Sequence, residues 1–114
     1  MSILSEINSL LAPLGVPVET GVFTDTAPDE YIVVIPLDDN FDYFADNRPM
    51  VDVHEARISI YSKGNYLKLK NDIVRAFVEA DYTITARQYL GYEPDTGYHH
   101  FNVDVAQYYE TEDN

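Results

Sequence analysis

The sequence predicts an α+β fold, a two-layer sandwich in which an antiparallel or mixed β-sheet carries two α-helices packed on one face. Three observations predict it. Two segments repeat apolar residues at helical spacing, five others are extended in pattern, and the order helix, three strands, helix, two strands lets both helices fall on the same side of one sheet. A chain of 114 residues closes one core of this kind, so residues 1–114 are read as a single domain.

Residues 2–11 place Ile3, Leu4, Ile7, Leu10 and Leu11 on a helical stripe, with Ser2 positioned to cap it and Pro13 and Gly15 to end it. Residues 16–23 read as a short extended segment, which Pro17 confines to an edge or a strand start and in which Gly21 marks a bulge. Residues 24–30 are turn-like. Over residues 31–37, Tyr31, Val33 and Ile35 oppose Ile32 and Val34, which predicts a central strand covered on both faces. Residues 38–50 fit neither period; they read as an irregular acidic insertion carrying Phe41, Tyr43, Phe44 and Pro49. The return strand, residues 51–62, alternates Ala56, Ile58 and Ile60 with Arg57, Ser59 and Tyr61, so the two strands form a long hairpin with a projecting tip.

After Gly64 and Asn65, the residues Tyr66, Leu69, Ile73 and Phe77 define the clearest helix of the chain, over residues 66–80. Residues 82–90 are extended, and 93–97 form a turn around Pro94 and Gly97. Residues 98–109 alternate Phe101, Val103 and Val105 with Asn102, Asp104 and Ala106, which closes a last hairpin. Residues 110–114 are an acidic tail without apolar pattern and are read as frayed.

Twenty acidic residues against seven basic ones give a net charge of −13. A field of that sign repels phosphate backbones and anionic lipid headgroups, so neither nucleic-acid nor membrane binding is expected. The absence of Cys excludes disulfides, thiolate metal sites and a cysteine nucleophile, and it fits an intracellular folding compartment. Glu6 stands where a secretory leader would be apolar, and no apolar run approaches the ~20 residues of a bilayer span.

Three histidines, His54, His99 and His100, are the natural candidates for a base or metal ligand. Neighbouring strand residues point to opposite faces, however, so His99 and His100 do not share one metal. Asp38, Asp39, Asp42 and Asp46 form the densest carboxylate group but lack the spacing and central glycine of a calcium loop, and they read as a solvated acidic loop. The five scattered glycines build no phosphate-cradling loop. No catalytic residue, cofactor or metal is therefore expected, and the chain is not read as an enzyme. Lys63, Lys68, Lys70 and Arg75 gather on or beside the second helix, as a solvated face or as a complement to acidic surface on a neighbour. Ten tyrosines are more than a small core needs, and Tyr favours interfaces because it buries area while keeping a polar tip.

The segment E-A-R-I-S-I-Y-S-K-G-N-Y, residues 55–66, runs directly into a helix, and Y-E-P-D-T-G-Y-H-H-F, residues 92–101, runs into a terminal strand. With them, residues 31–110 resemble the small tail-completion and tail-terminator (head-tail joining) proteins of long-tailed phages and prophages. The resemblance implies a structural virion subunit that is monomeric alone and assembles, usually as a hexameric ring, at the head-proximal end of the tail. It implies as partners copies of itself, the tail tube protein and the head connector proteins, and as location the tail or neck of the virion, with the host cytoplasm during assembly. Residues 57–66 and 95–100 match as fold-defining positions. Ring contacts through the long hairpin make Phe41, Tyr43, Phe44 and Arg48 the candidate subunit-interface residues. An acidic subunit also suits a ring through which DNA passes without being gripped. Two readings from other classes stand beside this one: an acidic protein-binding module, such as an inhibitor that mimics DNA, and a metal-dependent enzyme built on Asp38, Asp42 and the histidines.

Overall fold

The apolar stripe of the first segment does form a helix in the computed structural model, which describes residues 3–20, 28–45 and 48–110, without the side chains of 38–51 and 110. In helix α1 (Ile3–Leu11) the buried residues are Ile3, Ile7 and Leu11, one per turn of the stripe. A 3₁₀ turn (Ala12–Leu14) containing Pro13 follows, and Gly15, at φ 73°, takes the left-handed conformation that ends it. Strand β1 (Val18–Thr20) then leads to the long strands β2 (Glu30–Ala45) and β3 (Arg48–Ser62), helix α2 (Tyr66–Glu79), and strands β4 (Thr83–Glu93) and β5 (Tyr98–Glu110).

Helix α2 begins where the Asn65 side chain accepts a hydrogen bond from the Lys68 amide at 3.1 Å, satisfying one of the otherwise unpaired first-turn donors. It ends at Ala80, whose amide reaches back to the Ala76 and Phe77 carbonyls, and Asp81 at φ 64° turns the chain out. Leu69, Ile73 and Phe77 form its buried stripe.

The sheet order is β1-β2-β3-β5-β4. Among the described strands only β1 and β2 are parallel, with Val18 opposite Ile32, so the sheet is mixed and the fold is α+β. Both helices lie on one face. Ile7, Leu11, Ile73 and Phe77 pack over Ile32, Val34, Ile58, Ile60, Val103 and Val105, all fully buried. Each such aliphatic or aromatic side chain stabilises the fold by about 1.5–3 kcal/mol relative to exposure. Tyr82 fastens the two layers at one end: its ring meets Phe77 edge-on at 5.0 Å, and its hydroxyl donates to Glu6 of α1 at 3.0 Å.

The structure corrects the sequence reading in three places. Residues 39–45 and 48–50 are not irregular, because the hairpin ladder continues from Asp39↔His54 to Ala45↔Arg48. The ladder slips between Pro36 and Asp39, so the alternation resumes out of phase and no single period runs through it. β2 is an interior strand with Ile32, Val33 and Val34 buried, as expected, although its outer neighbour β1 covers only Ile32 to Val34 and β3 is the middle strand of the five. β4 extends to Glu93 through a register shift at Tyr89/Gly91, with Gly91 at φ 124°, and Glu110 pairs with Val51 as the last residue of β5 rather than the first of a tail. Ser2, Gly21, residues 24–27 and residues 111–114 lie outside the described residues.

Among the described residues, the buried core reaches Val34 on β2 and Ala56 on β3. Beyond it the hairpin continues as an arm, residues 39–45 paired with 48–54, about 25 Å long at ~3.3 Å per residue. The molecule accordingly measures 54 × 24 × 24 Å.

Candidate assembly surface

On the sheet face away from the helices, strand register sets three rungs side by side: Tyr31, Tyr61 and His100; Val33, Ser59 and Asn102; Ile35, Arg57 and Asp104. In the first rung Tyr31 stacks on Tyr61 at 4.6 Å and Tyr61 on His100 at 4.2 Å, while Tyr98 meets Tyr31 edge-on at 5.4 Å. In the second, the Ser59 hydroxyl donates to Asn102 Oδ1 at 2.9 Å. In the third, Arg57 donates from Nε and Nη2 to the two Asp104 carboxylate oxygens at 2.9 and 3.1 Å, and that hydrogen bonding raises the Arg57 guanidinium above its usual value. Burial, then the neighbouring Tyr61 and Tyr98, pushes the Tyr31 hydroxyl up to about 12. Burial also raises Tyr61, and it lowers His100, whose Nε2 is buried without a hydrogen-bond partner. Apart from His100 Nε2, this face is a ladder of stacked rings, a hydrogen bond and an ion pair.

A second aromatic cluster lies on the helix side at the outer edge of the sheet. Tyr66 of α2 stacks on Tyr89 at 5.2 Å and on His99 at 4.8 Å, and Tyr92 leans on His99 at 4.9 Å. Tyr89 Oη and His99 Nδ1 share a hydrogen bond of 2.9 Å, and Lys70 Nζ sits 5.7 Å from the centre of the Phe101 ring. β4 is the last strand of the sheet, and its Tyr89, Leu90 and Tyr92 remain 43%, 45% and 53% exposed.

Of the residues singled out from the sequence, the three histidines do not come together. His99 faces the helices, His100 the opposite side, and His54 meets Tyr109 at 4.9 Å near the base of the arm. Among the described residues no three His, Asp or Glu side chains gather as metal ligands. The side chains of Asp38, Asp39, Asp42 and Asp46 fall outside the described residues. Lys63, Lys68 and Arg75 are drawn into ion pairs with Asp29 (3.8 Å), Asp72 (2.9 Å) and Asp72 (3.6 Å). Lys63 and Lys68 also rim a cleft of about 510 Å³ over Leu14, Val16 and Leu69, which those ion pairs largely neutralise.

Phe41, Tyr43, Phe44 and Arg48 all lie on the arm by strand register, Phe41 opposite Asp52, Phe44 opposite Pro49 and Arg48 opposite Ala45. Their side chains are outside the described residues. Six of the ten tyrosines divide between the two clusters, Tyr82 and Tyr109 gather around Glu6, Tyr108 is exposed, and the Tyr43 side chain lies outside the described residues. Burial, then Glu6, pushes the Tyr109 hydroxyl up to about 12, although that hydroxyl falls short of hydrogen-bond geometry with any partner. Sequence reasoning did not single out Arg87 and Leu90, because no local pattern shows that β4 is an outer strand that leaves them exposed.

No family model matches the chain, and no curated protein matches it. Among solved structures the chain is similar to one in a "Virion of native gene transfer agent (GTA) particle". That likeness covers 90% of this chain and 84% of that one, at 14% identity and a TM-score of 0.49. It is a likeness of chain trace and fixes no function.

Proposed function

We propose that the chain is a non-catalytic structural subunit of a phage-type virion, a tail-completion or tail-terminator protein. It assembles with copies of itself at the head-proximal end of the tail, where it meets the tail tube and the head connector. The observation that carries this reading is the arm. β5 accompanies the arm only as far as Val51, so its outer part, residues 43–45 with 48–50, is a two-stranded ribbon, which is marginal in water without something to pack on. Phe41, Tyr43 and Phe44 on such an arm suit contact with another molecule better than they suit solvent. The resemblance of residues 55–66 and 92–101 to tail-completion proteins supports the same role, and a net charge of −13 suits a ring that lets DNA pass.

The test is electron microscopy of particles made after deletion of the gene. The reading expects filled heads beside unjoined tails. Normally joined, infectious particles would overturn it.

A further inference from the structure

The distribution of ion pairs shows where an acidic partner segment would land. Six basic side chains are described, and four of them, Arg57, Lys63, Lys68 and Arg75, are already paired with carboxylates of the same chain. The other two, Lys70 and Arg87, have no carboxylate partner among the described residues, in a chain of net charge −13. Both flank the same place. Lys70 lies over Phe101, which is opposite Tyr89 on β4, and Arg87 lies two residues before Tyr89 on that strand, opposite Val103 of the core. Around them stand the exposed rings of Tyr89 and Tyr92 and the exposed Leu90.

We propose that this edge, with Lys70 and Arg87 as its charged anchors and Tyr89, Leu90 and Tyr92 as its apolar floor, receives the arm of a second copy. The inference rests on the reading of the arm as an assembly element and adds the surface that the arm meets. The matching chemistry is in the same chain. The stretch D-D-N-F-D-Y-F, residues 38–44, interleaves acids with rings, and among the described residues the arm's β2 edge is unpaired beyond Val34.

An arm cannot satisfy its own molecule's edge. Along β3 the aromatic patch is level with Ile60, whereas Asp39 is level with His54 and Ala45 with Arg48. These separations amount to about 20 and about 40 Å at ~3.3 Å per residue. The contact is therefore between copies and head-to-tail, the kind that closes into a ring when the rotation allows. The register shifts at Ile84/Ala86 and Tyr89/Gly91 interrupt β4, which disfavours indiscriminate strand addition and leaves recognition to the side chains.

The experiment is zero-length carbodiimide cross-linking of the full chain. A mixture of ¹⁴N and ¹⁵N protein at the highest soluble concentration is used, and assembled particles in parallel, with the products read by mass spectrometry. The expected result is hybrid-labelled cross-links joining Lys70 to Asp38, Asp39 or Asp42. They should fall in the Arg87→Gln variant, which keeps the reactive Lys70 amine, and their persistence at the parental yield would count against Arg87 as an anchor. Mixing a Lys70→Glu/Arg87→Glu chain with an Asp39→Lys/Asp42→Lys chain should restore a hybrid species between the reversed pairs. Arm carboxylates linking to Lys63 or Lys68 instead, linking only within one copy, or giving no link at Lys70 would overturn the proposal while leaving the deletion phenotype untouched. Conversely, joined particles from the deletion would overturn the tail reading without removing a Lys70 cross-link.

Discussion

Truncating Phe77 to Ala tests the two-layer core at its most loaded point. The ring is fully buried on the inner stripe of α2 and meets Tyr82 edge-on at 5.0 Å, so it touches both the helix layer and the entry to β4. A buried aromatic side chain removes roughly 150–200 Å² from water. At about 25 cal/mol per Å² this is about 4–5 kcal/mol, an upper value because the unfolded chain is itself partly collapsed. Alanine keeps the β-carbon but leaves a cavity, which places the expected loss at about 3–5 kcal/mol. For a domain of this size that is a fall in Tm of about 10–20 °C. The matched control is Val78→Ala, one residue along the same helix but 55% exposed, expected to change stability by less than about 0.5 kcal/mol. Urea unfolding followed by circular dichroism measures both. A cost below about 1 kcal/mol for Phe77→Ala, or an equal cost for Val78→Ala, would refute the assignment of the buried face.

Burial lowers the His100 pKa, so between its usual value near 6.5 and its folded value the unfolded chain binds the proton first. Stability should therefore decline as pH falls below about 6.5, and His100→Phe, which keeps a ring on Tyr61, should flatten that slope in urea titrations at stepped pH. At the alkaline end, Tyr31 and Tyr109 stand near 12, raised chiefly by burial. Above pH ~10 the unfolded chain loses those protons first, and ultraviolet difference spectra should show a late group of phenols ionising together with unfolding. Arg57 is 40% exposed and Asp104 12%, so solvent screens the pair. A double-mutant cycle of Arg57→Ala and Asp104→Ala should give a coupling of about 1 kcal/mol, and zero coupling would mean that the paired geometry is not populated in solution.

Both helices were legible in the sequence because Ile3, Ile7 and Leu11, and then Leu69, Ile73 and Phe77, repeat at the period that burial against one sheet imposes. The inner face of β3 and β5 was legible for the same reason, since Ile58 and Ile60 alternate with Arg57 and Ser59. The arm was not, because the ladder shift after Pro36 displaces the alternation. Cross-strand partners were hidden too. That Tyr61 would lie between Tyr31 and His100, or Arg57 opposite Asp104, depends on register between strands up to 47 residues apart, which local pattern does not encode. The edge cluster needed strand order as well: Tyr89 and Tyr92 were visible as part of a tyrosine excess, but Lys70 and Arg87 gained significance only once the other cations were seen to be paired.

The central claim is that the arm serves assembly rather than folding, and it is tested most directly by complementing a gene deletion with a Phe41→Ser/Tyr43→Ser/Phe44→Ser chain. The account expects that variant to melt within about 2 °C of the parent, since an arm that serves assembly contributes little to folding. The decisive measurement is the fraction of joined particles counted by electron microscopy. The account predicts filled heads and separate tails with the variant, and joined particles with the parent chain. Joined, infectious particles at parental frequency from the variant would contradict it.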